Sequence, residues 1–297
     1  MSGSVMADQP ADSDDNSEPS RRPPGRAKRR PGRDLRAATA VGFLLAGLAV
    51  GTLFLYAPAF VGLVVVVMVV AVWELAHAFA SREVHVPVVP AVLGTVLMLV
   101  GGFVAGDSAL VVGLALTVLA IVVWRLGSPM AGYLRDVASG IFTVVYVPFL
   151  AGFAVLMVRA DDGHWQVFAL LAVVVASDVG GYFTGVLIGR HPMAPSASPK
   201  KTWEGFAGSL LLGVPAGMAI AVLAFEAPWW SGVLLGAVGV LGATLGDLGE
   251  SMIKRDLNIK DMSSLLPGHG GIMDRLDSLL PTAPLVWLVL AFVVTAN

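Results

Sequence analysis

Apolar residues run along this chain in nine stretches, at roughly 37–56, 59–80, 88–106, 108–126, 136–158, 165–189, 204–225, 229–246 and 279–296, joined by short polar connections. Most are near the ~20 residues a helix needs to cross the hydrocarbon layer of a bilayer. The pattern predicts an all-α polytopic integral membrane protein with about nine transmembrane helices. The polar breaks divide it into three regions. Residues 1–36 start with Asp, Ser and Pro, turn to Arg and Pro, and lack periodic apolar positions, which predicts a disordered tail, acidic then basic. Residues 37–164 form a Val-, Leu- and Ala-rich block of helices, and residues 165–297 a second block with two polar loops, 190–203 and 247–278.

Translocation leaves Lys and Arg in excess in short cytoplasmic loops, so charge placement tests this segmentation independently. With the amino terminus in the cytoplasm, eighteen of the nineteen cations fall on the inner side and only Arg159 on the outer. Both polar loops then face the cytoplasm, the carboxyl terminus lies outside, and the tail is cytoplasmic. The basic run ahead of the first helix reads as an orientation signal or a contact for anionic lipid rather than a nucleic-acid site. It is not a secretory leader, because a full spanning helix follows with no small-residue cleavage pattern.

Composition agrees: 56% of residues are hydrophobic and 13% charged, and the mean hydropathy is +0.80. The absence of cysteine excludes disulfides, thiolate catalysis and Cys-ligated metals. The net charge of −2 says little, since acids in the tail offset its bases.

Ionisable groups inside spanning segments are candidates for function. Glu74 and His77, three apart near the cytoplasmic end of the second stretch, are either functional or simply within reach of headgroup water. Asp178 stands about eleven residues, roughly 16 Å, from the cytoplasmic end of the sixth stretch. At that depth a carboxylate must be protonated, paired or metal-bound. Gly181, Gly185 and Gly189 share one helical stripe, which suits close helix packing. The segment Ser198-Pro199-Lys200-Lys201-Thr202-Trp203-Glu204-Gly205 is a phosphate cradle at a helix start or an ordinary positive-inside pair of lysines.

The densest polar cluster lies between 247 and 277. Asp247, Glu250, Asp274 and Asp277 are too many carboxylates for a small space without a counter-ion, and Mg²⁺, oxygen-ligated and commonly shared with substrate phosphates, suits them. Asp274 and Asp277 share a helical face if the last span begins early. Lys254, Arg255, Lys260 and Arg275 supply phosphate contacts, and Gly268, Gly270 and Gly271 a backbone nest for an oxyanion. His269 serves as acid or base, metal ligand or phosphate donor. Neither a G-x-x-x-x-G-K-[ST] loop nor a dinucleotide G-x-G-x-x-G is present, so any nucleotide is held in another way.

The stretch from Ser251 to Asp277, with Lys254-Arg255, Lys260-Asp261, Pro267-Gly268-His269-Gly270-Gly271 and Asp274-Arg275-Leu276-Asp277, resembles the signature of the phosphatidate cytidylyltransferases, or CDP-diacylglycerol synthases. Ser177-Asp178 and Ser198 to Gly205 resemble the family as well, so the likeness covers roughly 165–297. Val179-Gly180-Gly181 and Ala197 depart from it slightly. The resemblance implies transfer of CMP from CTP to phosphatidate, with Asp247, Asp274, Lys254, Arg275 and His269 catalytic. It implies Asp178, Asp247, Asp274 and Asp277 as Mg²⁺ ligands, a second cation being left open. Lys200, Lys201, Arg255, Lys260, Ser198, Gly270 and Gly271 would bind substrate. The site would face the cytoplasm in the cell membrane; a homodimer is left open and no nucleic-acid partner is implied. The alternatives are a CTP-dependent transferase or kinase acting on a polyprenyl lipid and, from another class, an ion-coupled transporter with Asp178, Glu74 and His77 along its path.

Overall fold

The computed structural model describes residues 35–263, 265 and 270–294. Among these, nine helices succeed one another: α1 (Leu35–Leu55), α2 (Ala57–Ala80), α3 (Val88–Ala105), α4 (Asp107–Leu126), α5 (Tyr133–Val158), α6 (Gly163–Ile188), α7 (Trp203–Phe225), α8 (Trp229–Asp256) and α9 (Met273–Val294). Eight of them, α2 to α9, are long and apolar enough to cross a membrane by length and composition, while α1 carries the shorter apolar run Leu44–Leu55. Large apolar side chains point away from the protein along these helices; Leu223, for instance, is 81% exposed. Lipid, not water, suits such a surface. The chain is an integral membrane protein. The tail predicted for 1–36 lies outside the described residues except for Leu35 and Arg36, which already belong to α1.

Apolar burial gives no preference for helix over lipid inside a bilayer, so close backbone contact holds the second half together. A Cβ on Gly236 of α8 would sit 2.6 Å from both the Gly213 carbonyl oxygen and Val214 Cα of α7. The predicted glycine stripe faces α7: Gly181 lies against Ser209, Gly185 against Thr202 and Gly205, and Gly189 just past the end of α6 against Thr202. Ser209 Oγ also donates to the Ser177 carbonyl at 2.7 Å, tying α7 to α6. Helix α9 packs on α8 and also on α5 and α6, joining the two halves. In the first half, buried Arg125 donates to Asp136 at 2.9 Å and to the carbonyls of Pro129 and Ala131, closing the α4–α5 turn. Pro148 has no N–H to give to a helical bond, and α5 widens there into a π turn over Val145–Phe149.

Two predicted boundaries are corrected. Helix α8 does not stop at 246 but runs on to Asp256. Asp247, Glu250, Ser251 and Lys254 recur at three- and four-residue spacing, so they form one polar stripe of a continuing helix, and no proline interrupts it. Helix α9 starts at Met273 rather than 279, which puts Asp274, Arg275 and Asp277 in its first turns. The loop predicted for 247–278 therefore shrinks to 257–272. The 190–203 connection holds an antiparallel hairpin, β1 (Pro192–Ala194) with β2 (Ser198–Thr202), whose register pairs Pro192 with Thr202 and Ala194 with Ser198.

Candidate active site

A cavity of about 470 Å³ opens among α6, the hairpin, α7, α8 and α9. Each element brings its polar groups for a local reason. Thr202 ends β2 and caps α7, its Oγ1 accepting from Gly205 N at 3.1 Å. Glu204 accepts from the backbone N–H groups of Arg190 and His191 at 3.1 and 3.2 Å, fixing the base of the hairpin. Arg255 Nε donates to the Ala197 carbonyl at 3.4 Å, holding the hairpin turn against α8. Lys200 and Lys201 are thereby delivered to the cavity wall.

Of the predicted site residues, Asp178, Ser198, Lys200, Lys201, Asp247, Asp274, Arg275 and Asp277 line this one cavity. Asp178 thus meets an open cavity rather than lipid, which resolves the cost of its depth. Lys201 Nζ pairs with Asp247 Oδ2 at 2.5 Å, each side chain about a quarter to a third exposed. Lys254 does not line the cavity. It bridges Glu250 Oε2 at 2.5 Å and Asp274 Oδ1 at 2.9 Å beneath the wall. Arg255 is spent on the hairpin and Lys260 is exposed. His269, with Pro267 and Gly268, lies outside the described residues. Gly270 has φ of +83°, a conformation glycine adopts without strain. The Gly271 N–H donates to Asp274 Oδ2 at 2.8 Å, so this member of the predicted nest is taken by the protein's own carboxylate.

Among the described residues, no three acidic or histidine side chains converge tightly enough to enclose an ion unaided. The donor set nevertheless fits a hard divalent cation, being all carboxylate oxygen. Glu250 is fully buried, and neither its Oε1 nor the Tyr146 hydroxyl has a hydrogen-bond partner among the described residues. Asp277 and Asp247 are the other acids within electrostatic reach of that hydroxyl. Tyr146, presented by the π turn of α5, carried no signal in the sequence beyond its aromatic ring.

The Lys254 bridge makes a stability prediction. Lys254→Met keeps the apolar stem but leaves a buried Glu250 without its cation, at a cost of about 2–4 kcal/mol. Adding Glu250→Gln should restore part of that loss, because the stranded charge is gone. Thermal unfolding in detergent measures both, and a single variant as stable as the parent would show that the bridge contributes nothing.

Glu74 and His77, predicted as a pair, part company. Glu74 is fully buried and accepts three hydrogen bonds, whereas His77 is exposed and stacks on Trp73. Residues three apart differ by about 60° around a helix, enough to straddle a packing boundary. An ion path using both is therefore not built.

The sequence model described as the cytidylyltransferase family matches residues 36–293. The phosphatidate cytidylyltransferase of Mycobacterium tuberculosis (strain ATCC 25618 / H37Rv) is 41% identical over 274 residues, covering 88% of this chain and 84% of that protein. That of Mycobacterium leprae (strain TN) is 42% identical over 278 residues, 88% and 89% of the two chains. That of Brucella suis biovar 1 (strain 1330) is 34% identical over 204 residues, 66% and 69%. With a match from α1 to the end of α9 and relatives this similar over most of their length, the chain belongs to the cytidylyltransferase family.

Proposed function

We propose that this protein transfers CMP from CTP to phosphatidate, giving CDP-diacylglycerol and pyrophosphate for phospholipid synthesis. The observation that carries the reading is one cavity, inside a bundle of membrane helices, where carboxylates from α6, α8 and α9 meet the lysines of the hairpin. A phosphate monoester is already anionic near neutral pH, with a second pKa of about 6, so the enzyme need not generate a nucleophile. An oxygen of the lipid phosphate attacks the α-phosphorus of CTP. The bond from that phosphorus to the α–β bridging oxygen breaks, and pyrophosphate leaves with the electron pair.

The protein's work is to hold two polyanions in line and neutralise them. Lys200, Lys201 and Arg275 face the cavity and supply the fixed positive charge. Asp178, Asp247, Asp274 and Asp277 are the residues that would hold Mg²⁺, which when bound neutralises charge on phosphoryl oxygens. Tyr182 and Phe206 give the same cavity an apolar flank where acyl chains can stay with the bilayer. The excess of Lys and Arg on one side supports an orientation in the cell membrane with the hairpin facing the cytoplasm, where CTP is.

Purified protein in detergent, given α-phosphate-labelled CTP, phosphatidate and Mg²⁺, should move label into the lipid extract and release pyrophosphate, and labelled ATP should not replace CTP. Label appearing only with a polyprenyl phosphate acceptor would assign a different lipid, and folded protein that moves none would overturn the reading.

A further inference from the structure

Glu74 lies in α2, far in sequence from the cavity, and is wholly buried, as are Ala71, Val72 and Leu75 beside it in the chain. A carboxylate in such a place needs donors, and among the described residues its donors all come from the polar segment next to the site. Its Oε1 accepts from Ser263 Oγ at 2.5 Å and from Ile272 N at 3.0 Å, and its Oε2 from Met273 N at 2.8 Å. Asp274 completes the arrangement, since its Oδ2 takes the N–H groups of Gly271 at 2.8 Å and Met262 at 2.9 Å. Three successive amides, 271 to 273, thus end on carboxylates just where α9 begins and the cavity-lining Asp274, Arg275 and Asp277 follow. Gly271 carries the imprint of the contact. A Cβ there would fall 2.8 Å from Glu74 Oε2 and 2.9 Å from Oε1, so the position admits glycine because Glu74 fills the space.

We propose that Glu74 is a positioning residue for the reaction: it anchors the start of α9 and thereby sets where Asp274, Arg275 and Asp277 stand in the cavity. It touches no substrate and acts through the amides of Ile272 and Met273. The catalytic half of this inference rests on the cytidylyltransferase reading, while the anchoring half stands without it.

Glu74→Gln keeps size and burial but turns an N–H toward amides that need an acceptor. In the detergent-purified protein it should lower kcat by about 10- to 100-fold, the scale of a small misplacement of reacting groups, with KM for CTP within about threefold. Amide hydrogen exchange in peptides covering 271–276 should quicken at least about tenfold, while the melting temperature stays within a few degrees. A kcat within twofold of the parent overturns the proposal, as does lost activity accompanied by unchanged exchange at 271–276 or only by a smaller folded fraction. Should Glu74→Gln fold poorly, Gly271→Ala tests the same contact. It should quicken the same exchange and lower kcat with KM for CTP little changed, whereas unchanged exchange or an unchanged kcat would refute the coupling. Exchange is read without substrate, so a parent protein that does not use CTP would sink the functional reading and leave the anchor still to be scored.

Discussion

Asp247→Asn is expected to lower cytidylyl transfer by about a hundred- to a thousandfold and leave the fold intact, the scale seen when one preorganised charge at a reacting centre is removed. The geometry supports both halves. Asp247 stands on the cavity wall, directly after the apolar stretch of α8, and its Oδ2 meets Lys201 from the hairpin. Both partners are partly exposed, so the pair contributes little to stability and its loss strands no buried charge. Asparagine preserves shape and loses only the charge. Turnover of the purified variant, read beside its melting temperature, separates the two effects. Near-normal turnover would remove Asp247 from the chemistry, and a collapsed melting temperature would make it structural.

How far the sequence discloses this arrangement depends on the distance over which a signal acts. Apolar helices declare themselves through local hydropathy: the nine stretches match nine helices to within a few residues at most ends, eight of them long and apolar enough to span. The exceptions are instructive. The end of α8 is misplaced because Asp247, Glu250, Lys254 and Arg255 look like loop by composition, although their spacing is helical and Lys254 and Glu250 pair four residues apart. The hairpin is invisible because strands of three and five residues are too short to show alternation. Site residues are legible for the opposite reason: Asp178, Lys201, Asp247, Asp274 and Asp277 are charges in a greasy background, and a bilayer gives few other places for them to go. What they do with one another is not legible. The contacts of Lys254 with two carboxylates, and of Gly271 with Glu74, cannot be read from the residue types. Contacts between α2 and α9 leave no local trace, since no sequence period links positions so far apart.

Chelation with EDTA should abolish turnover, and added Mg²⁺ should restore it fully. The stronger expectation concerns when the ion binds. Asp247 is paired with Lys201 and Asp274 with Lys254, and among the described residues no three acids enclose a space of their own. If Mg²⁺ is the ion, these carboxylates would supply only part of its shell, and the phosphates of CTP would supply much of the remainder, as Mg²⁺ commonly requires. A phosphate group entering the cavity would offer Lys201 a second anion and so free Asp247, one of the residues that would hold the ion, from its ammonium partner. The ion and the nucleotide should then bind cooperatively, each lowering the apparent dissociation constant of the other by the same factor. Spin-active Mn²⁺ titrated into the protein with and without a non-hydrolysable CTP analogue measures this factor, which should exceed about tenfold. Tight Mn²⁺ binding without nucleotide would mean a site already assembled by the carboxylates alone, and turnover that survives chelation would take the metal out of the reaction.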